Sequence, residues 1–170
     1  FSNVRVYEGA EGAINFNAYS LDSYGVGQDL FGTATIEDNG ATLHLTGNNW
    51  KKIDFSYTVT ANTVLEFDFR SEVQGEIHSI ALDTDINIGS PATFQLFGTD
   101  AWGGAHPDYY DYAASAPNTK HYVIPVGQYT TGPVNHIGFA NDDDINANGR
   151  SFFSNVRVYE GAEGAINFNA

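Results

Sequence analysis

Along residues 63–70, Leu65, Phe67 and Phe69 alternate with Glu66, Asp68 and Arg70, leaving one side apolar and the other charged. A period of two marks a strand with one face in a core. Comparable runs, rich in β-branched and aromatic residues and bounded by Gly, Asn or Asp, predict strands at 13–17, 33–37, 41–46, 51–59, 75–83, 93–97, 120–126, 135–140 and 152–160. Asp38-Asn39-Gly40 predicts a hairpin turn between 33–37 and 41–46, because Asn-Gly tolerates positive φ. No window carries a capped helical stripe. About ten short strands with turns between them predict an all-β fold, an antiparallel β-sandwich of jelly-roll type. Residues 98–119 form the longest stretch without a strand signal, and their aromatic content argues for an ordered, functional loop.

Residues 1–18 and 153–170 carry the same sequence, FSNVRVYEGAEGAINFNA. The chain is thus one period of 152 residues, counted from position 1 to position 153, with 18 residues repeated. Three origins stay open: a window on a tandem array, a subunit that exchanges an end strand with a neighbour, or a deliberate duplication. The expected division is 10–161 as the module, with 1–9 duplicating the closing strand and 162–170 beginning the next repeat; since the strand slot is filled once, 1–9 either belong to a neighbouring module or hang free. An unpaired apolar strand is a template for pairing. The side chains that would be exchanged are Phe1, Val4 and Val6 in the first copy and Phe153, Val156 and Val158 in the second.

Charge narrows the partners. Seven Lys and Arg against 21 Asp and Glu give a net charge of −14 in 170 residues, which argues against nucleic acid and against anionic lipid. Membrane insertion is not expected, since no apolar run approaches the roughly 20 residues of a spanning helix. There is no cysteine, which excludes disulfides and thiolate sites. There is no methionine either, so the chain is expected to be processed or excised from something longer. With 42 % hydrophobic residues the acidity does not signal disorder. A secreted, extracellular protein with cation-binding loops is the expectation.

Two acidic runs carry candidate chemistry. Asp144-Ile-Asn146-Ala-Asn148-Gly149 matches the first half of a calcium loop, with short oxygen side chains at alternate positions and Gly for the turn. Asp142 and Asp143 precede it and raise the local negative charge. Asp83-Thr-Asp85-Ile-Asn87 repeats the spacing with Gly displaced. The expected cofactor is Ca2+; the competing reading is a solvated acidic turn. Trp102, His106, Tyr109, Tyr110, Tyr112 and Tyr129 lie in or beside expected loops. Flat rings beside polar groups suit sugar rings, and they equally serve packing. Trp50, at a strand start, reads as core. Glu76 and His78, two apart on one expected strand, share a face, yet no nucleophile or metalloprotease motif accompanies them. The chain is not expected to be an enzyme.

Gly47-Asn-Asn-Trp50-Lys51-Lys52-Ile53, Leu65-Glu66-Phe67-Asp68-Phe69, Gln74-Gly75-Glu76-Ile77-His78, His121-Tyr122-Val-Ile-Pro125-Val126-Gly127 and Phe153-Ser-Asn155-Val156-Arg-Val158-Tyr159-Glu160 carry a resemblance. Over most of residues 28–160 the chain resembles the non-catalytic β-sandwich modules, of the carbohydrate-binding-module kind, appended to secreted bacterial polysaccharide-degrading enzymes and surface proteins. Ser79-Ile80-Ala81-Leu82 departs from that pattern, where more glycine is expected. The resemblance implies a structural calcium, with Asp83, Asp85, Asp142 and Asp144 in the matching acidic loops. It also implies a polysaccharide partner, held on a sheet face or by apical loops. The duplicated end adds a second expectation: a structural repeat of an extracellular filament or adhesin, whose partners are neighbouring copies joined head to tail.

Overall fold

The computed structural model describes residues 12–161. Nine strands build it: β1 (Asp22–Ser23), β2 (Phe31–Glu37), β3 (Thr42–Val59), β4 (Thr63–Val73), β5 (Ile77–Asp83), β6 (Ala92–Phe97), β7 (Lys120–Ile124), β8 (Gly132–Asp142) and β9 (Arg150–Glu160). Every strand pairing is antiparallel. In the first sheet the order is β6-β5-β8-β3, with β1 on the far side of β3. In the second it is β7-β4-β9-β3, with β2 on the far side.

β3 belongs to both sheets. Its start, Thr42–Thr46, pairs with β9, and from Asn49 onward it pairs with β8. The Gly-Asn-Asn that signals a break between strands 41–46 and 51–59 is instead the crossing point of one continuous strand. Gly47 there has φ +72°, a conformation open to glycine at little cost.

The two inner faces enclose an aromatic core. Phe139 of β8 meets Phe153 of β9 at 5.2 Å between ring centres, and Phe69 of β4 lies 5.2 Å from Phe153. Leu43, Leu45, Ile53, Leu65, Phe67 and Ile137 are fully buried beside them. Burying a large apolar side chain contributes about 1.5–3 kcal/mol, so these rings carry much of the stability.

Residues 13–17 form no strand. Ile14 makes one ladder bond, its N–H donating to Val156 O at 2.7 Å, and the chain then enters a 3-10 turn over Phe16–Ala18. Asn15 causes the change: its side-chain oxygen accepts from the Asn17 N–H at 3.0 Å, a local bond that competes with pairing. The apolar alternation still serves burial, since Ile14 and Phe16 enter the core. β7 ends at Ile124 because Pro125 has no N–H to extend the ladder. β5 begins two residues late, since the Gly75 N–H donates to a side chain, His78. The turn at Asp38–Gly40 forms as expected, with Asn39 at φ 57°.

Candidate functional site

The outer face of the second sheet holds a candidate site. Side chains alternating with the core residues project there: Thr42 and His44 from β3, Glu66, Asp68, Arg70 and Glu72 from β4, Phe152, Ser154, Arg157 and Tyr159 from β9, and His121 and Val123 from β7. A groove of about 210 Å³ lies among Glu37, Asp38, Thr42, Asp68, Arg70, Thr119, Phe152 and Ser154.

Its floor is Phe152. His44 pairs with Phe152 across one edge of β9, its ring stacked at 4.0 Å, and Arg70 pairs across the other, its guanidinium 3.8 Å from the ring centre. A guanidinium over an aromatic face is attracted by the ring quadrupole, so the clamp fixes Arg70. Glu37 holds His44 through Nδ1 at 2.8 Å. Beside the clamp, the Thr42 and Ser154 hydroxyls meet at 2.9 Å and Thr42 donates to Asp38 at 2.7 Å.

The face continues as a chain of anchored carboxylates. Asp68 accepts from Asn155 Nδ2 at 2.8 Å and bonds His121 Nδ1 at 2.7 Å. Glu66 accepts from Arg157 and from the Tyr159 hydroxyl, the latter at 2.6 Å. Burial opposes ionisation of Glu66, but those two donors hold its pKa below the usual carboxylate value. Glu72 is likewise held down, chiefly by Arg70. A general acid for glycoside cleavage needs the opposite displacement. Glu66 and Glu72 are thus fixed as hydrogen-bond acceptors for Arg157, Tyr159 and Arg70.

The expected sites are placed elsewhere. In the β5–β8 register Asp83 lies opposite His136 and Ile77 opposite Asp142, so the two acidic loops sit at opposite ends, about 20 Å apart at strand spacing. Asp83 is buried and already partnered, by the Tyr24 hydroxyl at 2.7 Å and by the N–H groups of Thr84 and Asp85. Asp85 and Asn87 are exposed and bonded to each other, Asn87 N–H to Asp85. At the other end, buried Asp143 closes the loop by accepting from the N–H groups of Asn146, Asn148 and Gly149. Asp144, Asn146 and Asn148 point to solvent. Among the described residues no three His, Cys, Asp or Glu side chains gather as a metal-binding group. In this loop the backbone amides are turned to Asp143, and the side chains expected as calcium ligands, Asp144, Asn146 and Asn148, are exposed.

Carboxylates do crowd near that loop. The Asp144 N–H lowers the Glu76 pKa, yet burial and the Asp144 and Asp142 carboxylates outweigh it and the net shift is upward. Burial raises Asp142, the Trp50 indole N–H partly offsets this, and neighbouring acids add to the rise. Glu76 and His78 do not share a face. Glu76 precedes β5, whereas His78 is fully buried, accepting from the Gly75 N–H on Nε2 at 2.7 Å and facing Ser151 Oγ from Nδ1 at 2.6 Å. Burial lowers its pKa to about 3.

The aromatic cluster is divided. Tyr112 is fully buried; its hydroxyl accepts from the Ser71 N–H and donates to Asn118 O. His106, Tyr109 and Tyr129 pack around Phe94 at 5.0–5.6 Å. Tyr110 is exposed and donates to Gly98 O. Trp102 is half-buried edge-on against buried Trp50, on the outer face of the first sheet. Tyr24 covers that same face, its ring lying on Gly138, where a Cβ would approach within 2.6 Å. None of the six lines the groove. Of the exchange positions, Phe153 and Val156 are fully buried and Val158 packs on the core, while Phe1, Val4 and Val6 lie outside the described residues.

The alternation along 63–70 already placed Glu66, Asp68 and Arg70 on one outer face. Their partners Phe152, Ser154 and His44 come from strands about 80 and 25 residues away, a juxtaposition that only pairing reveals.

No protein-family model and no curated protein matches the chain. Solved structures do. A crystal structure with a xylogluco-oligosaccharide matches at TM-score 0.52 and 12 % identity, over 94 % of this chain and 41 % of that one. A crystallised fragment comprising domains CD matches at TM-score 0.50 and 12 % identity, over 94 % and 70 %. A family 29 carbohydrate-binding module complexed with cellulohexaose matches at TM-score 0.48 and 13 % identity, over 91 % and 94 %. At such identities the likeness is one of fold: the chain shares its overall fold with the first two structures, at TM-scores of 0.52 and 0.50.

Proposed function

We propose that the chain is a non-catalytic module that binds a neutral polysaccharide across the outer face of its second sheet. One observation carries this reading: the groove floored by Phe152, with Arg70 and His44 clamped on the ring and the Thr42 and Ser154 hydroxyls and the Asp68 carboxylate beside them. Sugar hydroxyls take paired donors and acceptors. Here guanidinium, hydroxyl and carboxylate alternate on adjacent strands about 4.8 Å apart and are pre-oriented by their own bonds. Exposed Val123 on β7 and half-buried Tyr159 on β9 offer apolar contact to C–H faces further along. The shared fold with a structure holding a xylogluco-oligosaccharide is consistent with a glycan ligand.

Charge sets the class of glycan. With Glu37, Asp38 and Asp68 around the groove and a net charge of −14, uronate or sulfated chains meet repulsion. An extracellular setting, where such polymers occur, belongs to this proposal. Affinity electrophoresis against neutral and polyanionic polysaccharides tests it. The expected result is retardation by at least one neutral glucan or xyloglucan-type polymer, lost in Arg70→Ala. Retardation only by polyuronates, or equal retardation of Arg70→Ala, contradicts it.

A further inference from the structure

The slot held by β9 has one place and the sequence supplies two strands for it. Residues 153–160 fill it between β3 and β4, with Phe153 and Val156 fully buried. Next to it sit Ile14 and Phe16, which belong to the first copy of the 18-residue segment. Phe16 is fully buried, 5.6 Å from the Phe139 ring, and the Ile14 N–H bonds Val156 O. The module is thus closed by the strand half of the second copy and the Ile-Asn-Phe half of the first.

Those two halves are contiguous within either copy. The counterpart of Val156 in the first copy is Val4, ten residues before Ile14. Were Val4 in the place of Val156, Glu8 would stand where Glu160 does, four strand residues or about 13 Å along, one strand spacing of about 5 Å to the side. The chain from Glu8 to Ile14 spans at most about 20 Å, which covers that gap of about 14 Å with Gly9 and Gly12 available for the turn. Ile14 would keep its position and its bond. Phe1, Val4 and Val6 would replace Phe153, Val156 and Val158 by identical side chains, while buried Ser151 and Phe152 precede the repeated segment and have no counterpart in it.

We propose that the β9 slot is a docking site for residues 1–8 of the same chain, so that either terminal copy closes the module. The occupant is fixed by sequence identity, and the short reach from Glu8 to Ile14 makes the closure local. When the first copy is seated, residues 153–160 are released as a strand carrying the full recognition sequence of the slot. This inference is independent of the glycan reading.

The test uses the full chain with a buried valine replaced in each copy: Val4→Asp, Val156→Asp, and both. Each single variant is expected to melt within a few degrees of the parent, because the other copy takes the slot, and the double variant is expected to be unfolded. If Val156→Asp is as unfolded as the double variant, or if the double variant melts like the parent, the proposal is overturned. A second measurement does not depend on a buried charge. Thr42 lies opposite Ser154 in register, and the chain has no cysteine of its own. Thr42→Cys with Ser154→Cys and Thr42→Cys with Ser2→Cys should both oxidise to monomeric species on a non-reducing gel. A Ser2→Cys pair that stays reduced, or that links only two chains, refutes closure within one chain.

Discussion

Lowering the pH from 7 to 5 should cost the fold about 2 kcal/mol through His78 alone. The Gly75 N–H occupies Nε2, which must therefore be unprotonated, and the Nδ1–H is directed at Ser151 Oγ. Ser151 in turn donates to Asn141 Oδ1, and Asn141 Nδ2 donates to Gly47 O and Gly149 O. A proton on Nε2 would face that N–H inside the core. Burial disfavours the charged ring and holds the folded pKa at about 3, against 6.5 for an ordinary histidine, even though the nearby Asp143 carboxylate pulls it up. The sign follows from proton uptake: between pH 6.5 and 3 the unfolded chain binds a proton that the folded chain refuses. Stability is then full above pH 6.5 and falls by about 1.4 kcal/mol per unit as pH drops toward 3. Glu76 and Asp142 work the other way, because their raised folded pKa values favour the folded state as they protonate. Their effect enters nearer the carboxylate range, so the interval from pH 7 to 5 isolates the histidine best. Urea unfolding at pH 7, 6 and 5 reads the slope, and the ring nitrogen shifts of His78 read its protonation. A histidine that titrates near 6.5, or stability that does not fall over this interval, would refute the buried relay.

Other outcomes follow from the same contacts. Asp143→Ala leaves the N–H groups of Asn146, Asn148 and Gly149 without their acceptor and should cost about 2 kcal/mol in urea unfolding. Excess chelator, by contrast, should leave the melting temperature unchanged, since those amides already satisfy the carboxylate; a drop with chelator that calcium reverses would contradict the loop geometry. Tyr112→Phe strips the buried hydroxyl between Ser71 N–H and Asn118 O and should cost about 1–3 kcal/mol without altering glycan retardation. Trp102→Ala should leave retardation within about twofold of the parent, because Trp102 packs on the other sheet.

Much of the fold was readable because strand period and turn chemistry are local. Leu65, Phe67 and Phe69 point inward as their alternation requires, and Asn39 takes the positive φ that Asn-Gly promises. What could not be read was anything set by a distant partner. β3 continues through Gly47 because β8 and β9 flank its two halves, and a glycine that looks like a stop is a bend between sheets. Of the aromatic loop residues expected as a sugar platform, Tyr112 is buried in the core, while His106, Tyr109 and Tyr129 pack part-exposed around Phe94. The acidic loop matched a cation motif at Asp144, while the working carboxylate is its neighbour Asp143, buried and satisfied by amides. Phe152 read only as the first residue of the expected strand 152–160. Its role as the floor of a groove depends on His44 and Arg70 arriving from either side.

Mapping of backbone amide shifts during titration with a neutral oligosaccharide tests the central claim most directly. The account predicts saturable shifts concentrated at Thr42, Asp68, Arg70, Phe152 and Ser154, and their disappearance in Arg70→Ala that still folds. Shifts centred instead on Trp102 and Tyr110, or a full panel of neutral glycans that moves no residue of the second sheet, would contradict it.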